Sequence, residues 1–119
     1  MSCNDKRAIV NPDMPKADLR KIEDALGVEA VAVGICGYKT IGMMIVCTNK
    51  GFVAHNRISE DEMKNLEEIL GAQGINSTVN SGTPMVGLGV VANSFGAVVG
   101  EDMSGFELSR VQQGLELTD

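Results

Sequence analysis

The sequence contains no tryptophan, one tyrosine (Tyr38), three phenylalanines, one histidine (His55) and three cysteines. Each shortage excludes something. Aromatic residues at 3% do not furnish a stacking platform for unpaired bases, and they leave the core to Val, Ile, Leu, Met and Ala. A lone histidine has no histidine partner for a metal site or a catalytic triad, so His55 is expected at a turn or strand end. Cys3, Cys36 and Cys47 are odd in number and lack CxxC spacing, which fits reduced thiols in a cytoplasmic protein. No apolar run reaches the roughly 18 residues of a membrane span. The polar start MSCNDKR also lacks a signal-peptide apolar region. Basic charge is short as well: 10 Lys and Arg against 16 Asp and Glu leave a net charge of −6. Nucleic-acid phosphates are therefore not expected as the main source of affinity, whereas a basic protein partner is electrostatically acceptable.

What is present is an ordinary globular composition, 44% hydrophobic and 22% charged, in a chain of 119 residues, enough for one domain with a real core. It is also repetitive. Leu19, Ile22, Leu26 and Gly27 recur 44 residues later as Met63, Leu66, Leu70 and Gly71. The first three positions recur after 45 more as Leu108, Val111 and Leu115, while Gly42 and Gly51 recur as Gly87 and Gly96. A fixed period marks a repeat architecture. We place the units at about 3–46, 47–91 and 92–115, with 116–119 as a tail, all in one domain.

One unit reads strand, turn, strand, helix, with a further strand between copies. TIGMMIVC (Thr40 to Cys47) is apolar and β-branched enough to predict a buried strand. TNKG turns the chain and FVAH returns as the hairpin partner. Ser59 and Glu62 form a capping-box pattern ahead of an apolar face of Met63, Leu66, Ile69 and Leu70, with Gly71 as C-cap. Ser104 and Glu107 repeat the box, and Pro15 takes the serine's place in the first copy. VEAVAVGI (Val28 to Ile35) and INSTVN (Ile75 to Asn80) read as strands leading into glycine-rich loops. Gly87 and Gly89 are expected to let strands approach closely. They do not form a nucleotide loop, since the spacing is wrong for one and no helix follows them. The acidic run Glu60–Glu62 reads as a solvated helix start, and the methionines as core filler.

The segment INSTVNSGTPMVGLGVVANSFGAVVGEDMSGFEL, with TNKG and the following histidine, resembles the last repeat of the translation initiation factor six family, the ribosome anti-association factors of archaea and eukaryotes. CNDKRAIVNPD and IEDALGVEAVAVGI resemble that family's third-to-fourth repeat junction. The resemblance implies an α/β pentein fold, five repeats around a pseudo-fivefold axis with helices outside. This chain would carry about two and a half strand-strand-strand-helix repeats of it, resembling the C-terminal half. It also implies binding to the large ribosomal subunit beside the sarcin–ricin loop, held mainly by a ribosomal protein at the subunit interface. The small subunit is then blocked sterically, with no catalysis and no cofactor.

Carried over by position, the binding residues would be Asn80, Gly82, Thr83, Val86, Gly87 and Leu88, with Tyr38, Lys39, Ile41, Gly42 and Met43 as their counterparts one unit earlier. Five units of about 44 residues need roughly 220, so an open arc with unpaired edges is expected, with homo-oligomerisation as one consequence. A self-associating pentein fragment without ribosome binding is the alternative function. A cysteine-dependent pentein enzyme acting through Cys36 stands behind it, because no base or guanidinium-binding carboxylate pair accompanies that residue. Among departures from the family pattern, Ser81 stands for a frequent arginine and Phe106 for a frequent proline. Arg7 occupies the place of Gly51 and Gly96.

Overall fold

The computed structural model describes residues 1–79 and 81–117. The chain is a mixed α/β structure of small sheets and helices in which one succession of elements occurs three times. A short hairpin, β1 (Ser2–Cys3) and β2 (Arg7–Val10), leads into helix α1 (Lys16–Leu26) and then strand β3 (Glu29–Ala32). A one-turn helix α2 (Ile41–Met44) precedes the second hairpin, β4 (Ile45–Cys47) and β5 (Gly51–His55), which is followed by α3 (Glu60–Leu70) and β6 (Gln73–Ser77). A 3₁₀ turn at Val86–Leu88 precedes the third hairpin, β7 (Val90–Asn93) and β8 (Gly96–Val99), and α4 (Gly105–Gly114) closes the series. The strand after each of the first two helices returns to pair in parallel with the hairpin's second strand, so the sheets are ordered β1-β2-β3 and β4-β5-β6, beside the two-stranded β7-β8.

The helices form where the caps predict. Ser59 Oγ accepts the Glu62 N–H, and Ser104 with Glu107 makes the reciprocal box. Gly27 and Gly71 end α1 and α3 at φ of 70° and 64°, left-handed values that glycine adopts without strain.

The stretch from Thr40 to Cys47 is not one strand. Its first half is the helical turn α2, and only Ile45–Cys47 pairs. A short continuous apolar run reads alike as buried strand or buried helix, and here the depth of Ile41 and Met44 selects the turn. Gly87 likewise lies in a 3₁₀ turn rather than in or between strands. The other two predicted strands are shorter or shifted: β3 covers only Glu29–Ala32, and β6 starts at Gln73 and ends at Ser77. Asn80 lies outside the described residues.

Two cores separate the three layers. The first joins Ile9, Ile35, Ile41, Met44, Phe52 and Leu66. The second joins Val53, Val79, Val86, Val90, Val111 and Leu115. Adjacent residues of a strand face opposite sides, so Phe52 enters one core and Val53 the other. That is why β5 is buried along its whole length. Helix α3 packs against β2 of the layer before it, and α4 against β5 and β6.

Candidate functional site

The two loops singled out in the sequence leave their strands in the same way. In the first, Ile35 and Tyr38 exchange backbone hydrogen bonds (3.1 and 2.9 Å) across Cys36 and Gly37, both at positive φ. That is the pattern of a tight type I′ turn. In the second, Val79 and Thr83 exchange bonds of 2.8 and 2.7 Å around Ser81 and Gly82, again both at positive φ. One more residue separates the bridging pair in the second loop. This insertion is the step at which the repeat offset changes from 44 to 45, since Ile35 maps to Val79 but Cys36 to Ser81.

Each loop stands on a carboxylate from the helix beyond the next hairpin, α3 for the first loop and α4 for the second. The Cys36 N–H donates to Glu62 Oε2 at 2.9 Å. The equivalent Glu107 is buried and accepts far more: the Thr78 hydroxyl, the Ser81 and Gly82 N–H groups at 2.7 and 3.0 Å, and the Ser104 N–H at 3.1 Å. Burial alone disfavours its ionised form. The Thr78 hydroxyl and the backbone donors outweigh that and hold its carboxyl down to about 2. Ser81, in its left-handed conformation, also donates from its hydroxyl to the Asp102 carbonyl at 2.6 Å. Its backbone N–H and its hydroxyl thus both hold the loop.

The residues proposed from sequence divide into anchors and exposed groups. Ile41 and Val86 are buried in the first and second core, so they fix the turns from below. Tyr38, Lys39, Gly42, Gly82 and Leu88 are exposed, and Met43, Thr83 and Gly87 half-buried. Tyr38 leans on the buried His55, with ring centroids 5.8 Å apart, and Lys39 forms an ion pair with Asp13. His55 ends β5 and its Nδ1 accepts the Arg57 N–H, a strand-end role. Its pKa is lowered by burial first and by Arg57 second. The helical turns carrying the two sets meet at Gly42 and Gly87: a Cβ on Gly87 would lie 1.9 Å from the Gly42 carbonyl oxygen. No sequence signal marked Glu107 as buried or Tyr38 as stacked. The capping box identified Glu107 only as a helix-start residue.

Cys36 and Cys47 are not activated. Cys36 is raised, by burial first and by the neighbouring Glu62, and burial pushes Cys47 up to about 11 despite a hydrogen bond with Ser2. Alkylation at pH 7.5, followed by mass spectrometry, should modify the exposed Cys3 first and Cys36 more slowly than a free thiol. Cys47 should be slower than a model thiol by on the order of 100-fold, because only the thiolate reacts. Among the described residues no group of three His, Cys, Asp or Glu side chains is placed to hold a metal, and no helix is long and apolar enough to cross a membrane.

The structure is a stack of αβ layers on which two anchored loops lie side by side. Comparison with known proteins places it further. A family model described as "eIF-6 family" matches residues 1–114, and the chain belongs to that family. It is 41% identical over 113 residues to a protein named translation initiation factor 6 from Staphylothermus marinus, covering 95% of this chain and 50% of that one. The protein of the same name from Methanosphaerula palustris is 38% identical over 108 residues (91% and 49%). That from Methanocaldococcus jannaschii is 40% identical over 116 residues (96% and 50%). The chain thus spans about half the length of the curated relatives it matches.

Proposed function

We propose that the chain acts in translation as a non-catalytic factor, binding the large ribosomal subunit in the cytoplasm and hindering small-subunit joining. Membership of the eIF-6 family over nearly the whole chain is the observation that carries this reading. On it, the three αβ layers are successive units of an incomplete pentein ring. The contact surface is the double loop: Tyr38, Lys39, Gly42 and Met43 with Asn80, Gly82, Thr83, Gly87 and Leu88 touch the partner, while Ile41 and Val86 hold the turns in place. A net charge of −6 and a sequence without a Lys/Arg-rich run support a contact made mainly with a ribosomal protein rather than with rRNA phosphates.

The test is co-sedimentation of the folded chain with purified archaeal large subunits, alone and against added small subunits. Saturable binding that reduces subunit joining is expected, with a shallow dependence on salt. Leu88→Asp and Tyr38→Ala, both at exposed positions, should weaken binding about tenfold with unchanged circular dichroism, the size of effect typical of a contact residue at an interface centre. Absence of binding by a folded sample removes the proposal.

A further inference from the structure

The same backbone turn follows the second strand of each hairpin, and only one copy of it is made with an imidazole. The Met14 N–H donates to the Asn11 carbonyl (3.1 Å), Ile58 to His55 (3.2 Å) and Met103 to Gly100 (3.2 Å). In the first unit Asn11 Oδ1 also accepts the Asp13 N–H at 2.8 Å. In the second His55 Nδ1 accepts the Arg57 N–H at 3.1 Å, and in the third Gly100 has no side chain to offer. An amide, an imidazole and no side chain at all therefore serve this turn equally, so the turn is not what calls for a histidine.

What the imidazole adds lies toward the first loop. His55 is 3% exposed, and its ring stands 5.8 Å from that of Tyr38 at a tilt of 32°. Tyr38 itself is 45% exposed. The corresponding pair one unit later is Thr83 and Gly100, with a ring on neither. The turn at His55 also leads straight into α3, where Ser59 caps the helix and Glu62 accepts the Cys36 N–H at 2.9 Å. Residues 55–62 thus hold the first loop at two points, Cys36 on the Glu62 carboxylate and Tyr38 on the His55 ring. Because Nδ1 accepts a hydrogen bond, the neutral ring carries its proton on Nε2.

The geometry assigns His55 as the positioning residue for Tyr38: the neutral imidazole fixes the direction of the exposed phenol, and protonation of the ring releases it. That Tyr38 is held for a ribosomal contact rests on the proposed function; the coupling of the two rings does not. A proton on Nδ1 turns the acceptor into a donor facing the Arg57 N–H, so the ring has to leave its place and Tyr38 loses its backing. The ionisable groups around the imidazole are Tyr38 of the loop, Arg57 of its own turn and Glu62 of α3. Burial first and Arg57 second oppose the proton, and Glu62 favours it, which leaves the histidine below its ordinary 6.5.

The chain has one tyrosine, one histidine and no tryptophan, so tyrosine fluorescence reports Tyr38 alone and a histidine titration is that of His55. On the full chain, the emission is expected to pass through a step with its midpoint below 6.5. His55→Asn keeps the turn bond as Asn11 does, and should abolish the step with unchanged circular dichroism. In co-sedimentation with archaeal large subunits the same variant should weaken binding about threefold, the fold-change of an ordinary aromatic pair. It should add nothing once Tyr38→Ala is present, since it acts only through that ring. Wild-type emission without the step overturns the proposal, and this arm needs no variant to fold. So does a step that persists in folded His55→Asn, a His55→Asn chain that binds as well as wild type, or an equal loss in the Tyr38→Ala background. A wild type that shows the step but binds no subunit supports the positioning of Tyr38 and overturns the proposed function instead.

Discussion

Gly87→Ala is expected to destabilise the protein by about 3 kcal/mol and to lower Tm by about 10 °C, read by thermal unfolding. The new methyl group would stand 1.9 Å from the Gly42 carbonyl oxygen, 2.9 Å from its carbon and 3.0 Å from the Met43 Cα. These are backbone atoms of α2, so no rotamer change relieves the clash. Two helical turns would have to separate, and with them Ile41 and Val86, which root those turns in different cores. Gly105→Ala is the matched control. It opens α4, nothing lies within 4 Å of its added Cβ, and higher helix propensity makes the change neutral to stabilising by up to about 1 kcal/mol. Equal losses at both positions would mean that the contact between the turns is not what matters.

Glu107→Ala should cost about 3 kcal/mol in urea unfolding, with a smaller loss for Glu107→Gln, because the truncation strands the Thr78 hydroxyl and three backbone N–H groups. The wild-type carboxyl should also set the acid limit of stability. Its folded value of about 2 lies below the ordinary 4.5, so between those values the unfolded chain binds more protons than the native one. The stabilisation is therefore fully present above about pH 4.5 and lost as pH falls toward 2. His55 adds to the same trend at higher pH. Its lowered value makes the native state reluctant to take a proton below 6.5, so stability declines as pH falls through that region. The Glu107→Ala variant should keep the His55 contribution and lose the acid step. An unchanged acid step in that variant would assign it to other carboxylates.

The helices were legible because their signals are local. Ser59 and Ser104 announce starts, Gly27 and Gly71 announce stops, and the 3.6-residue period of Met63, Leu66 and Leu70 needs no knowledge of the rest of the chain. The turn at Ile41–Met44 was hidden for the opposite reason. Its residues are apolar on every side, and the choice between strand and helix is made by the two cores and by the Gly42–Gly87 contact, 45 residues away in sequence. The equivalence of the two loops was legible from position alone. Which of their residues face outward was not, because Ile41 and Leu88 look alike in a list of apolar residues, and only the packing buries one and exposes the other. Glu107 carried the least signal. A carboxylate in the first turn of a helix is ordinarily solvated, and the donors that bury this one come from a loop 25 to 29 residues earlier.

Strand β5 is a party wall. Phe52 furnishes one room and Val53 the other, and neither core closes without it. Any cut between layers strips plaster from one side of that wall, so three units that look separable in the sequence share their sturdiest surface. A destabilising change on either face of β5 is therefore felt in both cores at once, and the signals of all three layers should melt together rather than in sequence.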